Sequence, residues 1–145
     1  MKIDNILLDK LTAQAKESPR LRMNLDLRNS DADSSQRMLN AIEPGSVVPI
    51  HRHRTTSETV VILRGKAVQY LYDDAGYETG QVLLAAGAGD PNVASLLGLP
   101  EDAVSGMQVE KGQWHRLESL ESGTVIVEMK DGAYEPISPA DISSM

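Results

Sequence analysis

Gly45-Ser-Val-Val-Pro-Ile-His51-Arg-His53-Arg-Thr-Thr-Ser-Glu58-Thr-Val-Val-Ile-Leu-Arg-Gly65 places two histidines and a carboxylate between two glycines. Side chains of an extended chain alternate between two faces, so His51 and His53 share one face and Arg52 and Arg54 the other. Glu58 lies five residues beyond His53, an odd separation that turns it away from the imidazoles on one straight strand. The polar run Arg54-Thr55-Thr56-Ser57 supplies a turn that resets this parity. Glu58-Thr-Val-Val-Ile-Leu63 then reads as the returning strand, because it is rich in β-branched residues. Two imidazoles and a carboxylate converging from neighbouring strands suit a divalent transition metal. The competing reading is an ordinary β protein with two exposed histidines and one satisfied one, and a lone His-x-His spacing does not separate the two.

The third histidine adds weight. His115 stands in Glu110-Lys-Gly112-Gln-Trp-His115-Arg-Leu117, after a glycine turn and ahead of another strand-like run. All three histidines therefore fall in two turn-flanked segments. The chain has no cysteine, so a tightly held metal must use imidazole and carboxylate donors.

These residues resemble the two motifs of the cupin superfamily. Gly45, His51-x-His53, Glu58 and Gly65 stand at every anchor of the first motif, and Gly112-x-x-His115 matches the core of the second. The second motif lacks its usual proline, where Glu110 stands, and its asparagine, where Ser119 stands. Arg20-Leu-Arg22-Met-Asn24-Leu, Gln36-Arg-Met-Leu-Asn40, Pro49-Ile-His51-Arg-His53-Arg, Gly112-Gln-Trp-His115 and Glu128-Met-Lys130-Asp-Gly-Ala-Tyr134-Glu-Pro136 together resemble the WbuC family. Those are small cupin-fold metalloproteins typified by a member from O-antigen polysaccharide gene clusters. The resemblance runs from residue 4 to residue 136. It implies an all-β fold, a cupin-type double-stranded β-helix (jelly-roll) barrel with a short N-terminal helix. It also implies a metal held by His51, His53, Glu58 and His115, and a surface-polysaccharide context. It implies no particular reaction.

Composition agrees with a single domain over residues 1–145, long enough for one core. A net charge of −7 argues against non-specific nucleic-acid binding. No apolar run approaches the roughly 20 residues of a membrane span, and the first residues lack the apolar centre of a signal peptide. The expectation is a soluble, cytoplasmic protein. With four tyrosines, one tryptophan and no phenylalanine, its core must be aliphatic.

Residues 1–18 carry the helix: Asp4 is a candidate N-cap, Ile6, Leu7, Leu8, Leu11 and Ala15 form an apolar stripe, and Ser18-Pro19 stops it. In the stretch 20–33, Leu21, Met23, Leu25 and Leu27 alternate with Arg22, Asn24, Asp26 and Arg28, the pattern of a half-buried strand. Its polar face is either a solvated edge or an arginine clamp for an anionic ligand; the resemblance favours ligand contact for Arg22 and Asn24. Residues 34–130 hold the barrel core. In 34–43 the sequence leaves open whether the face of Gln36, Met38 and Asn40 or that of Arg37 and Leu39 looks toward the metal, so Asn40 is a ligand contact only in the first case. Lys66–Tyr72 and Tyr77–Ala86 form a hairpin about Asp73-Asp74-Ala75-Gly76, with an irregularity at Thr79-Gly80. Tyr70 and Tyr72 share a face, and Tyr70 is a candidate cavity residue. Residues 87–106 read as a variable insertion near the barrel mouth, with a helical turn near Val93–Leu97. Trp114 faces opposite His115. Residues 131–145 read as an extended, weakly ordered tail.

Eight or nine short strands without βαβ alternation favour the barrel. Apolar character on both faces of Thr59–Leu63 calls for a covered outer wall, by the helix or by a second subunit, and the expectation is a homodimer. The metal is iron, manganese, nickel or zinc, with zinc least favoured by a four-donor set that includes a carboxylate. The ligand is small and anionic or sugar-derived. Isomerase or epimerase chemistry in surface-polysaccharide metabolism leads; a non-catalytic binding module and an iron-dependent dioxygenase are the alternatives. With all three histidines used as metal ligands, any general base must be Glu, Asp, Tyr, Lys or bound hydroxide.

Overall fold

The computed structural model describes residues 1–143. The last two residues of the expected 131–145 tail lie outside the described residues. The chain begins with helix α1 (Asn5–Glu17). Eight strands follow: β1 (Arg22–Asp26), β2 (Ser35–Ile42), β3 (Glu58–Arg64), β4 (Lys66–Tyr72), β5 (Glu78–Ala85), β6 (Gly106–Val109), β7 (Trp114–Ser119) and β8 (Val125–Asp131). A short helix α2 (Pro91–Leu96) lies between β5 and β6. The strands form a five-stranded sheet in the order β1-β2-β8-β3-β6 and a three-stranded sheet in the order β5-β4-β7.

Period-2 alternation decides which residues fill the space between the sheets. Ile42, Val60, Ile62 and Ile126 point inward from the larger sheet, and Ala67, Leu84 and Leu117 meet them from the smaller one. The opposite face of β2 and β8 is apolar as well, through Leu39, Ala41 and Val125, and α1 covers it with Leu8, Leu11 and Ala15. Asp4 caps that helix by accepting the Leu7 backbone N–H at 3.1 Å. Ile6, read as part of the apolar stripe, is 80% exposed, because the buried stripe is narrower than the run of apolar residues. The helix lies over β1 and β2 and meets β3 at its last residue, Arg64, which donates to Asp9 and Thr12. The outer face of Thr59–Leu63 keeps a half-buried Val61 and an exposed Leu63. Strand β1 belongs to the larger sheet at its edge, which extends the β region upstream of residue 34.

The β4–β5 hairpin has its register shift at Leu71/Tyr72, opposite Gly80 and Glu78, so Thr79 is the extra residue of the bulge. Gly65 makes the tight β3–β4 corner with φ +86°, where a Cβ would press on the Thr124 side chain and lie 2.7 Å from its Cα. The insertion 87–105 sits elsewhere than expected. Its end bonds to the far end of β3, through Ile62 N–H to Ser105 O at 2.9 Å, four residues beyond Glu58. It is therefore at the floor of the sandwich and not at the mouth. The tail also departs from the expectation. It carries a 3-10 turn at Pro139–Asp141, and it docks: Ile142 bridges His51, and Asp141 is buried. The docking partners, Ile50 to Arg54, lie about ninety residues earlier in the chain, so local sequence could not reveal them.

Candidate metal centre

Glu58 is the first residue of β3 and shares its inner face with Val60 and Ile62. His115 projects inward from β7, in the facing sheet. The segment carrying His51 and His53 runs beside β7 as an isolated bridge, not as a regular strand. The His51 N–H donates to His115 O at 3.0 Å, and the His115 N–H returns a bond to His51 O at 2.8 Å. Pro49 has no N–H with which to extend that ladder. The expected convergence from neighbouring strands is thus corrected. Residues 54–57 do not merely reverse the chain; they carry it from one sheet to the other, and Glu58 meets the imidazoles across the sandwich.

The potential ligand atoms of His51, His53, Glu58 and His115 all lie within 4.8 Å of one another. His53 Nε2 is 3.1 Å and His115 Nε2 3.5 Å from Glu58 Oε2. His51 Nδ1 lies 2.8 Å from Pro49 O, and His115 Nδ1 lies 2.8 Å from Gln113 O. A carbonyl oxygen only accepts, so both Nδ1 atoms carry the proton and both Nε2 atoms present a lone pair. Anchoring one ring nitrogen in this way orients the other for a metal. His53 Nε2 and His115 Nε2 are buried without a hydrogen-bond partner. In its neutral form, with the Nδ1 proton committed to Gln113 O, His115 presents a lone pair to Glu58 Oε2, which is repulsive unless a cation stands between them, so the cluster fits a divalent transition metal by its own chemistry.

The electrostatics favour the metal-binding protonation states. Burial pushes His51 down to about 4, and repulsion from His115 adds to it, so its imidazole is neutral near pH 7. Burial alone would raise Glu58, but the adjacent His115 and His53 rings outweigh it, with Lys130 adding to them, and hold the carboxyl well below its usual range.

The cluster borders a cavity of about 350 Å³ between the sheets. Arg22 lies on its wall, with Nη1 donating to Ser46 Oγ at 3.2 Å and Val47 O at 3.1 Å. Asn24 is exposed at the rim, opposite Asn40 in the β1–β2 register. The open question over β2 is answered: Met38, Asn40 and Ile42 border the cavity, while Leu39 and Ala41 lie under α1. Gln36 is too far along the strand and donates to Gly132 O at 2.8 Å. Asn40 is buried; its Nδ2 lies 3.4 Å from Glu128 Oε1, and its Oδ1 has no partner.

Tyr70 requires correction. It does not border this cavity. It lies on the outer face of β4, with the Arg116 guanidinium 4.0 Å above its ring. One step of parity gives the inward place to Gln69, which is 1% exposed and reaches the cavity. Sequence reasoning also missed Arg20, Glu128 and Lys130, which line the same space. The signal for the last two was present, since Val125, Val127 and Met129 alternate with Ile126, Glu128 and Lys130. Burial, followed by the nearby Glu58 charge, pushes Glu128 up to about 7.

Fold and cluster together define a cupin-fold protein with a three-histidine, one-glutamate site suited to a metal. Solved structures agree on the fold. The capsular polysaccharide assembling protein CapF from Staphylococcus aureus superposes with a TM-score of 0.61 at 17% identity, over 87% of this chain and 32% of its own. Oxalate oxidase in complex with the substrate analogue glycolate gives 0.60 at 12% identity, over 83% of this chain and 56% of its own. KdgF from Halomonas sp. gives 0.54 at 11% identity, over 81% and 84%. The chain thus spans about a third of CapF and about half of oxalate oxidase. No curated protein matches it. The chain belongs to the family described as a domain of unknown function (DUF6016), whose model matches residues 3–84. That span holds His51, His53 and Glu58 and ends before His115.

Proposed function

We propose that this protein is a metal-dependent cupin of WbuC type, a single domain over residues 1–145 with its jelly-roll barrel core at 34–130, that acts on a small anionic or sugar-derived ligand. The observation that carries the proposal is the four-ligand cluster opening onto a cavity whose other charged groups include Arg20, Arg22 and Lys130. His51, His53, Glu58 and His115 hold the ion, which is iron, manganese, nickel or zinc. When bound, it supplies Lewis-acid polarisation of a ligand oxygen. Arg22 and Asn24 orient the ligand from the rim, where a guanidinium pairs with carboxylate or phosphate. Asn40 offers its unpartnered Oδ1 to a ligand hydroxyl. Glu128 stands where a proton carrier is needed, because all three histidines serve as metal ligands.

Isomerase or epimerase chemistry in surface-polysaccharide metabolism is the leading reading. The structural likeness to CapF and KdgF is compatible with it at the level of fold. A binding module without turnover is the second reading, favoured by the commitment of Arg22 Nη1 to Ser46 and Val47. We place the protein in the cytoplasm as a homodimer; no helix among the described residues is long and apolar enough to cross a membrane. The test is elemental analysis of protein purified without a chelating tag, followed by titration with sugar acids and sugar nucleotides. One transition metal per chain and saturable binding of an anionic sugar support the proposal. Absence of metal after reconstitution removes its chemical basis, and light scattering decides the dimer.

A further inference from the structure

Arg52 and Arg54 alternate with His51 and His53, so both arginines leave the ligand-bearing segment away from the cluster. They converge on one oxygen. Arg52 Nε donates to Asp141 Oδ1 at 2.8 Å, and Arg54 Nε donates to the same atom at 2.6 Å. Asp141 is 8% exposed, and its Oδ2 accepts from Ser138 Oγ at 3.3 Å. The main chain adds further ties. The Arg52 N–H donates to Asp141 O at 3.0 Å, and the Ser143 N–H donates to Ile50 O at 2.8 Å. The His51–His53 segment is therefore held between β7 on one side and residues 141–143 on the other. The same C-terminal stretch brings Tyr134, Ile137 and Ile142 to the cavity wall.

On the proposed reading of the cluster as a metal site, we propose that Asp141 is a positioning residue for the metal ligands His51 and His53, and that docking of residues 133–143 and metal binding reinforce each other. The reason is conformational entropy. No regular ladder holds the His51–His53 segment: it makes two backbone bonds to β7 at His51, and His53 O accepts one from Gly112 N–H at 2.8 Å in the turn before β7, while the arginine face is held by Asp141. Asp141 fixes the arginine face, and by chain alternation this fixes the imidazole face. Without the clamp, a metal ion must itself order the segment, and affinity falls by that cost. Linkage makes the effect reciprocal, so the ion must also stabilise the docked tail.

Co(II) serves as the probe. Its affinity is measured by competition with a chromophoric chelator, and its coordination is read from visible absorption bands. The wild-type chain binds one Co(II). Asp141→Asn binds it about tenfold more weakly, with altered bands, in line with the loss on removing a group that orients a metal ligand, and Asp141→Glu recovers part of the affinity. Asp9→Asn breaks the Arg64–Asp9 pair at α1 and leaves Co(II) affinity unchanged. Arg54→Gln removes half of the clamp from a side chain that is 57% exposed, so it keeps the test open if Asp141→Asn does not fold, and it weakens binding a few-fold. Hydrogen exchange across 133–143 slows on adding Co(II) to the wild type, but not to His115→Ala. Wild-type affinity and bands in both clamp variants, or tail exchange indifferent to Co(II), overturns the inference while the metal site stands. A wild-type chain that takes up no Co(II) overturns the metal reading itself, and the inference with it.

Discussion

The interior has two ends built on the same strands. At the floor, Ile62, Ala67, Leu84 and Ile126 pack from both sheets, with Ile42 and Leu117 forming the step between them and the cavity. At the mouth, Asn40, Glu58, His115 and Glu128 line the cavity. On β2, β7 and β8 each polar residue stands one inward step from its apolar counterpart, and on β3 Val60 intervenes. Two residues of extended chain span only about 7 Å, so a single step along a strand separates packing from chemistry. Stability belongs at the floor, where burial is dry and close-packed. The mouth instead carries groups whose desolvation costs stability unless a ligand repays it. The difference teaches that one alternating pattern can serve two purposes when its polarity changes along the strand.

The largest expected effect tests the mouth. Glu58→Gln keeps the shape and removes the charge, so metal affinity falls about a thousandfold, more than the 10–100-fold of groups that merely orient ligands, while the metal-free melting temperature moves little. Chelator competition and calorimetry together check this. A large loss of metal-free stability would erase the distinction between the two ends. At the floor, Ile126→Ala, from a side chain 1% exposed, destabilises by about 3 kcal/mol through lost transfer energy and a residual cavity. Denaturant melts measure that loss, and the folded fraction keeps its metal stoichiometry.

Acid sharpens the contrast. The folded His51 titrates at about 4 against an ordinary 6.5, so the folded state resists its protonation. Its contribution is fully present above pH 6.5 and is lost as pH falls from 6.5 toward 4, because the unfolded chain then binds the extra proton. Metal-free stability should fall by on the order of 1–3 kcal/mol across that window, and His51→Gln should flatten the slope. A slope unchanged in that variant assigns the acid sensitivity to other groups. The smallest effect concerns the rim. Arg22→Ala should weaken binding of a sugar acid about tenfold, or roughly 1.4 kcal/mol, with metal content unchanged by elemental analysis. Unchanged affinity leaves Arg22 with the structural task of holding Ser46 and Val47.

The helix, the strand succession, the hairpin with its bulge at Thr79 and the grouping of His51, His53, Glu58 and His115 were legible in the sequence. The signals for the helix, strands and hairpin are local: capping by Asp4, β-branched runs and turn glycines; period-2 alternation places His51 with His53, and the addition of Glu58 and His115 to the same site is what the cupin resemblance implies. Alternation alone could not say which face turns inward. The sequence leaves Asn40 open for that reason, and it points to Tyr70 where Gln69 lines the cavity. A strand apolar on one side normally faces the core with that side, but β2 and β8 are buried on both, between the other sheet and α1. Glu128 and Lys130 were overlooked for the same reason, since a carboxylate on an inward face becomes recognisable only when the opposite face is seen to be covered.

What the sequence determined by itself is the set of groups able to bind a metal and the spacing that lets two imidazoles share a face. Spacing is set by covalent geometry, which every extended chain obeys. Only the tertiary structure decided that Glu58 arrives from the opposite sheet, that the insertion 87–105 lies at the floor, and that the tail clamps Arg52 and Arg54 through Asp141. Each of those is a contact between residues far apart in the chain. Such contacts arise from packing and from pairing of buried polar groups, and neither periodicity nor propensity encodes them.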